Sequence, residues 1–177
     1  MTPVDEAVPV VTEIGVIRPL RSTDRQPLEA ILAGTRAFSP EEIQIALELI
    51  DIVLTRPDQS DYMAWTHEND GVVDGYYCLG PTPATRGTFD LYWIAVSPAQ
   101  QGKGVGRALN RHAENLVHSL GGRLIIAETS SRPDYTATRR FYQNAGYREV
   151  ARIQDYYKVG DDLVVYGKYL THHHEGG

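Results

Sequence analysis

The stretch that decides the fold is Gln101-Gly102-Lys103-Gly104-Val105-Gly106-Arg107, which joins an apolar run to an amphipathic one. Its glycines let backbone N–H groups approach a ligand closely, and they also permit a positive φ. The apolar periodicity that starts at Val105 predicts a helix directly after the loop. The first N–H groups of a helix lack partners and its dipole is positive there, so the sequence predicts an anion-binding loop suited to phosphate. Lys103 and Arg107 add positive charge on the same turn.

The segments on either side of this loop predict a strand, a helix and a second strand. Phe89–Val96 is rich in aromatic and β-branched residues and ends at Ser97-Pro98, which is typical of a buried strand. The helix that follows the loop ends at Gly121-Gly122, and Leu124–Thr129 is the second apolar strand. A helix that connects two such strands predicts a right-handed crossover between parallel strands.

Two common nucleotide-binding loops do not fit the glycine pattern. The dinucleotide fingerprint needs a glycine three residues after its second glycine, and those positions hold Arg107 and Leu109. The NTPase loop needs Ser or Thr after Gly-Lys, whereas Gly104 follows Lys103. The pattern that fits is Gln-x-x-Gly-x-Gly, formed by Gln101, Gly104 and Gly106.

In this loop and in a second motif, the chain resembles the GNAT superfamily of acyl-CoA-dependent N-acetyltransferases. The second motif is a predicted helix that contains Phe141-Tyr142 and ends at Asn144–Tyr147, similar to the family's Phe-Tyr-x-x-x-Gly-Tyr ending. The resemblance implies an α/β (α+β) fold with four helices and a mixed, mostly antiparallel sheet of seven strands. Its central β-α-β unit is expected to splay and so to hold CoA. One domain is expected over residues 13–170, between a flexible N-terminus at 1–12 and a flexible tail or tag remnant at 171–177.

The resemblance implies acetyl-CoA as the cosubstrate. The pyrophosphate would lie against the loop formed by Gln101, Gly102, Lys103, Gly104, Val105, Gly106 and Arg107. Backbone groups of Ile94, Ala95 and Val96 would pair with the pantetheine arm, although a buried strand edge explains the same apolar sequence. Many relatives bond pantetheine through an asparagine seven residues before the catalytic tyrosine, and here that position holds Tyr135.

Catalytic roles are likewise implied by the resemblance. Tyr142 matches the tyrosine that protonates the leaving thiolate, and the alternative is a tyrosine that packs on the sheet with its hydroxyl bonded to backbone. Glu128 resembles the glutamate base of bacterial enzymes that acetylate ribosomal-protein N-termini. Asp90 matches by spacing the base of the histone-acetylating branch. The base stays open between these two carboxylates and a mechanism without a dedicated protein base.

The acceptor is expected to be a primary amine, either a small molecule or a peptide N-terminus. Candidate walls of its pocket are Phe38, Tyr76, Arg132, Tyr135 and Tyr156. The alternative to an enzyme is a regulatory module that binds CoA without turnover. Oligomeric state stays open between monomer and homodimer.

Composition excludes several other classes of function. The 177-residue chain has a net charge of −6, which argues against nucleic acid as a partner. It has no apolar run near the roughly 20 residues of a membrane span. Cys78 is the one cysteine, which excludes an internal disulfide and predicts a reducing, cytoplasmic location. No metal is expected, because no further ligand cluster accompanies His172-His173-His174.

Overall fold

The structure is a computed structural model that describes residues 8–170. The His172-His173-His174 run therefore lies outside the described residues. In chain order the elements are β1 (Val10–Thr12), β2 (Gly15–Pro19), α1 (Arg25–Gly34), α2 (Pro40–Thr55), β3 (Met63–Asn69), β4 (Val72–Pro81), β5 (Thr88–Val96), α3 (Val105–Ser119), β6 (Leu124–Ser130), α4 (Thr136–Asn144), β7 (Arg148–Lys158) and β8 (Asp161–Tyr169). They form two compact units, and β4, β5 and α3 contribute residues to both. Unit one contains residues 8–79 and 93–112, and unit two contains 80–92 and 113–170.

Unit one is built on the antiparallel strands β1 to β4, each paired with the next. The β3–β4 turn contains Asp70 and Gly71 with φ of 49° and 76°, as a tight hairpin turn requires. The Asn69-Asp70-Gly71 sequence is of the kind that favours such a hairpin turn.

The predicted number of helices is confirmed, and the predicted number of strands is wrong. The described residues form four α-helices and eight strands, where the sequence predicted seven. The additional strand is β1, which is only three residues long and lies in the segment expected to be a flexible N-terminus. It forms because a tight turn returns the chain, with the Thr12 hydroxyl donating to the Gly15 carbonyl at 2.9 Å.

Helices α1 and α2 bury their apolar faces in the core of unit one. A capping box starts α2: Glu42 N–H donates to Ser39 Oγ, and Ser39 N–H donates to Glu42 Oε2. The buried core consists of Leu28, Ile31, Leu32, Ala46, Leu47, Ile50, Ala64, Tyr76, Cys78 and Ala95. Burial raises the pKa of the Cys78 thiol to about 12, so it stays protonated and inert in the folded chain.

Unit two contains the start of β5 and the strands β6, β8 and β7. The first residues of β5 pair in parallel with β6, from Thr88 opposite Leu124 to Asp90 opposite Ile126. This confirms that the strands flanking α3 are parallel. The remaining pairs, β6 with β8 and β8 with β7, are antiparallel, and every residue of β7 is exposed.

A buried ion-pair network joins β2, β3 and the turn before α1 in unit one. Arg18 is only 4% exposed, and its Nη1 lies 2.7 Å from Asp24 Oδ2. Its Nε donates to Glu68 Oε2 at 2.7 Å. Burial alone would raise the pKa of Asp24, but hydrogen bonds from Arg18 and from the Arg21 backbone outweigh burial and lower it. Ionised Asp24 therefore stabilises the fold above its unfolded pKa, and this contribution is lost as the pH falls.

We expect Arg18→Met to destabilise the protein by about 3–5 kcal/mol at neutral pH, because it leaves the buried Asp24 charge without a partner. Chemical denaturation at several pH values measures the effect. The difference from wild type should narrow as the pH falls, because protonation removes the unpaired charge. Arg25→Met is the matched control, since its ion pairs with Asp51 and Glu29 are exposed and should contribute little. Equal losses in the two variants would show that the Arg18 network has no special role.

Candidate functional site

The glycine loop of unit one lies between the end of β5 and the start of α3. Gly102 and Gly104 have φ of 76° and 94°, a region that other residues rarely adopt. Gln101 ties the loop to β5, because its Nε2 donates to the Val96 carbonyl at 3.2 Å and its backbone N–H donates to the Ser97 carbonyl. The glutamine of the motif thus has a structural role beside the glycines.

Gly106 does not share the positive φ of Gly102 and Gly104. It is the second residue of α3 and belongs to the helix, not to the turn before it. Its lack of a side chain therefore matters for access to the N–H groups of the first helical turn. Val105 is buried beside it, and an added Cβ on Gly75 of β4 would lie 3.1 Å from Val105 Cγ1. This close approach of α3 to β4 fixes the start of the helix.

The charges around the loop suit an anion. Lys103 and Arg107 are both exposed, and neither forms an ion pair within residues 8–170. Both are therefore available to a ligand, in a chain whose net charge is −6. Together with the first N–H groups of α3, they can bind a phosphate or pyrophosphate group.

A buried histidine–aspartate pair supports the strand that leads into the loop. His67 Nδ1 lies 2.5 Å from Asp74 Oδ1, and both residues are buried. The Asp74 carbonyl accepts from the Ser97 N–H at 2.7 Å, which anchors the end of β5. Sequence reasoning did not find this pair, because a histidine and an aspartate seven residues apart fit no motif.

Tyr142 lies in an aromatic cluster of unit two. It is 4% exposed, and its ring centroid is 5.4 Å from that of Tyr147 and 5.8 Å from that of Tyr166. Its ring therefore packs, as the structural alternative predicted. Its hydroxyl, however, makes no hydrogen bond within the described part of the chain, to backbone or to any side chain. Burial raises the pKa of Tyr142, so the phenol keeps its proton at neutral pH.

The candidate bases Asp90 and Glu128 lie on one face of the paired strands of unit two. Asp90 is opposite Ile126, and Glu128 is two residues further along β6, so its side chain points to the same side. Partial burial raises the pKa of Glu128, and the charge of Asp90 raises it further. Asp90 itself accepts a hydrogen bond from the Thr82 hydroxyl at 2.7 Å.

The expected acceptor residues fall into separate groups. In unit one Phe38 packs edge-on against Trp93, while Tyr76 is fully buried and its hydroxyl has no partner among the described residues. In unit two the Arg132 guanidinium lies over the ring of Tyr135, 5.3 Å from its centroid. Tyr156 is 56% exposed on β7 and packs against Tyr157.

The described part of the chain contains neither a metal-binding cluster nor a helix suited to crossing a membrane. Residues 8–170 contain no group of three or more His, Cys, Asp or Glu side chains placed to hold a metal ion. Among the described helices, none has the length and hydropathy needed to cross a membrane.

Comparison with known proteins gives consistent matches. A sequence profile of the acetyltransferase (GNAT) domain matches residues 60–149. The N-alpha-acetyltransferase RimI of Mycobacterium tuberculosis is 35% identical over 81 residues, which are 46% of this chain and 47% of that relative. The chain thus spans about half the length of this curated relative.

Solved structures match nearly the whole chain. A GNAT-family structure from Desulfovibrio desulfuricans is 40% identical with a TM-score of 0.84, and the match covers 88% of this chain and 98% of that one. The yncA protein of Salmonella typhimurium, solved with its cofactor acetyl-CoA, is 21% identical with a TM-score of 0.69. That match covers 89% of this chain and 94% of the Salmonella chain, and it shows likeness of fold alone.

We expect Gly106→Ala to weaken CoA binding by roughly tenfold or more, about 1.4 kcal/mol, because a methyl group would obstruct the first turn of α3. The melting temperature of the ligand-free protein should stay constant or rise, since alanine is the better helix former. Calorimetry and thermal melting measure the two quantities. Asn115→Ala, further along α3 and exposed, is the control that improves helix propensity without touching the loop. Wild-type affinity in Gly106→Ala would mean that the ligand does not approach this turn.

Proposed function

Because the chain belongs to the GNAT acetyltransferase family, we propose that it transfers an acetyl group from acetyl-CoA to a primary amine. The observation that carries this proposal is the glycine loop at the start of α3, with its exposed backbone and two cations that form no ion pair within residues 8–170. A CoA pyrophosphate has the charge and size that such a loop accommodates. The Salmonella protein of the same fold, solved with acetyl-CoA, supports this choice of ligand.

In this proposal the loop from Gly102 to Arg107 holds the pyrophosphate, and Ile94–Val96 holds pantetheine through backbone groups. Gln101 keeps the end of β5 and the loop in a fixed relation through its bond to Val96. Holding the thioester in one place allows an amine to attack it as if within one molecule, which supplies much of the rate.

The chemistry needs a base for the amine and an acid for the thiolate. The amine nitrogen forms a bond to the thioester carbon, and Glu128 takes the proton that this nitrogen loses. The carbon–sulfur bond then breaks, and Tyr142 donates its phenolic proton to the sulfur, which leaves as CoA thiol. The raised pKa of Glu128 makes it a better proton acceptor near neutral pH. The raised pKa of Tyr142 keeps its proton available until the thiolate forms.

The acceptor class is a primary amine, and the α-amine of a peptide N-terminus is the first candidate. The mycobacterial relative, an N-alpha-acetyltransferase, supports this choice. Phe38, Tyr76, Arg132, Tyr135 and Tyr156 are proposed to contribute to the acceptor site. Tyr156 is the exposed member of this set, Phe38 and Arg132 are partly exposed, and Tyr76 and Tyr135 are buried.

The direct test is an assay of purified protein with acetyl-CoA against a panel of amines. The panel contains N-terminal peptides, polyamines, amino acids and aminoglycosides, and the product measured is free CoA thiol. We expect thiol release with at least one class of amine. Calorimetric binding of CoA without release across the panel would favour a regulatory module. No binding at millimolar CoA would overturn the proposal.

Tyr142→Phe should lower kcat by about 10²–10⁴-fold, because it removes the proton donor for the leaving thiolate. Its melting temperature and CoA affinity should stay near the wild-type values, since the ring still packs and the hydroxyl has no described partner to lose. Steady-state kinetics, thermal melting and calorimetry measure these three quantities.

Tyr166→Phe is the matched control in the same aromatic cluster. The Tyr166 hydroxyl accepts from Gln143 Nε2 at 3.3 Å, so its loss should lower stability slightly and leave turnover intact. If Tyr142→Phe kept full turnover with chemistry rate-limiting, the Tyr142 hydroxyl would have no role as the acid.

A further inference from the structure

Thr82 is a residue of unit two that no motif of the sequence singles out. It follows β4 directly, and its backbone N–H donates to the Thr88 carbonyl at 2.9 Å. Its hydroxyl donates to Asp90 Oδ2 at 2.7 Å. The threonine is therefore fixed by backbone and side chain together, and it orients the Asp90 carboxylate at the start of β5.

Asp90 in turn faces the side of β6 that carries Glu128. The parallel register puts Asp90 opposite Ile126, two residues before Glu128 and on the same face. From β8, the residue opposite Glu128 is Val165, and its neighbours on that face are Leu163 and Gly167. These carry no charge, so no cation from β8 offsets the negative charge of Asp90.

Among the β5 residues of unit two, Thr88 and Tyr92 share this face with Asp90, and neither is a cation. Partial burial raises the pKa of Glu128, and the charge of Asp90, which no cation from β8 offsets, raises it further. The hydroxyl bond from Thr82 holds that charge in place.

We propose that Thr82 and Asp90 are positioning residues for Glu128: Thr82 fixes the Asp90 carboxylate, and that fixed charge makes Glu128 the group that takes the amine proton. The inference rests on the proposed function and assigns separate roles to the two candidate bases. Asp90 acts through Glu128 and does not itself accept the proton. Thr82 belongs to the same arrangement although it touches neither reactant.

The test measures where the proton resides, independently of turnover. Carbon-13 NMR of the Glu128 carboxyl group, in protein without ligand, follows its pH titration. Asp90→Asn should move the Glu128 midpoint to lower pH, because the neighbouring negative charge is lost. Thr82→Val should move it in the same direction by a smaller amount, because the Asp90 carboxylate is no longer held in place. A Glu128 midpoint that is unchanged in either variant overturns the inference.

Kinetics then separates this inference from the proposed function. Glu128→Gln should lower kcat by about 10²–10⁴-fold, as expected for loss of the base. Thr82→Val and Asp90→Asn should cost no more than about tenfold at the pH optimum and shift the acidic limb of the pH profile. Loss of activity in Asp90→Asn as large as in Glu128→Gln would make Asp90 the base and overturn the inference. Full activity in Glu128→Gln would instead overturn the proposed base, whatever the titrations show.

Thr85→Val is the matched control for Thr82→Val. Thr85 lies in the same loop, and its hydroxyl donates to the Thr82 carbonyl at 2.8 Å, not to a carboxylate. It should change neither the NMR titration of Glu128 nor the pH profile. A shift of equal size in the control would mean that the loop conformation, and not the bond to Asp90, sets the titration midpoint of Glu128.

Discussion

The parallel pairing of β5 with β6 is the interaction on which the rest of the structure depends. Two parallel strands cannot be joined by a tight turn, so the chain must cross between them, and α3 provides the crossover. The helix α3 therefore begins shortly after the end of β5. The glycine loop before it leaves the first N–H groups of this helix accessible. The same three pairs of residues, Thr88 to Asp90, decide which face of β6 the Asp90 carboxylate shares. The positions of the glycine loop and of the carboxylate pair both follow from one strand register.

Two polar groups of the candidate site, Glu128 and the Tyr142 hydroxyl, lower the stability of the folded protein. The raised pKa of Glu128 means that its ionisation destabilises the folded state as the pH rises above the unfolded pKa. Asp24 has the opposite effect, because its lowered pKa adds stability that is lost as the pH falls. The Arg18 network and the apolar core of unit one supply stability that offsets the cost of Glu128 and of the Tyr142 hydroxyl, which has no hydrogen-bond partner among residues 8–170.

The separation in sequence between the interacting residues decides which interactions the sequence could predict. The capping box joins Ser39 to Glu42, three residues on, and the hairpin turn at Asp70-Gly71 is two residues long, so both can be recognised from the sequence alone. The parallel strands around the glycine loop are confirmed for the same reason, since motif and periodicity coincide there. β1 was missed because three residues carry no periodicity. The contacts of Thr82 with Asp90 and of Arg18 with Glu68 could not be predicted from the sequence, because these residues come together only when the strands pair in the folded chain.

The complete burial of Cys78 has a consequence for how the molecule can be studied. A cysteine-directed reagent cannot reach this sulfur while the core of unit one is closed, and the chain has no second cysteine to compete with it. Each adduct formed on the native protein therefore records one opening of that core. When reclosing is faster than modification, the rate of adduct formation reports the population of the open form and hence its free energy. The chain carries its own reporter of local unfolding, readable by mass spectrometry without any engineered label.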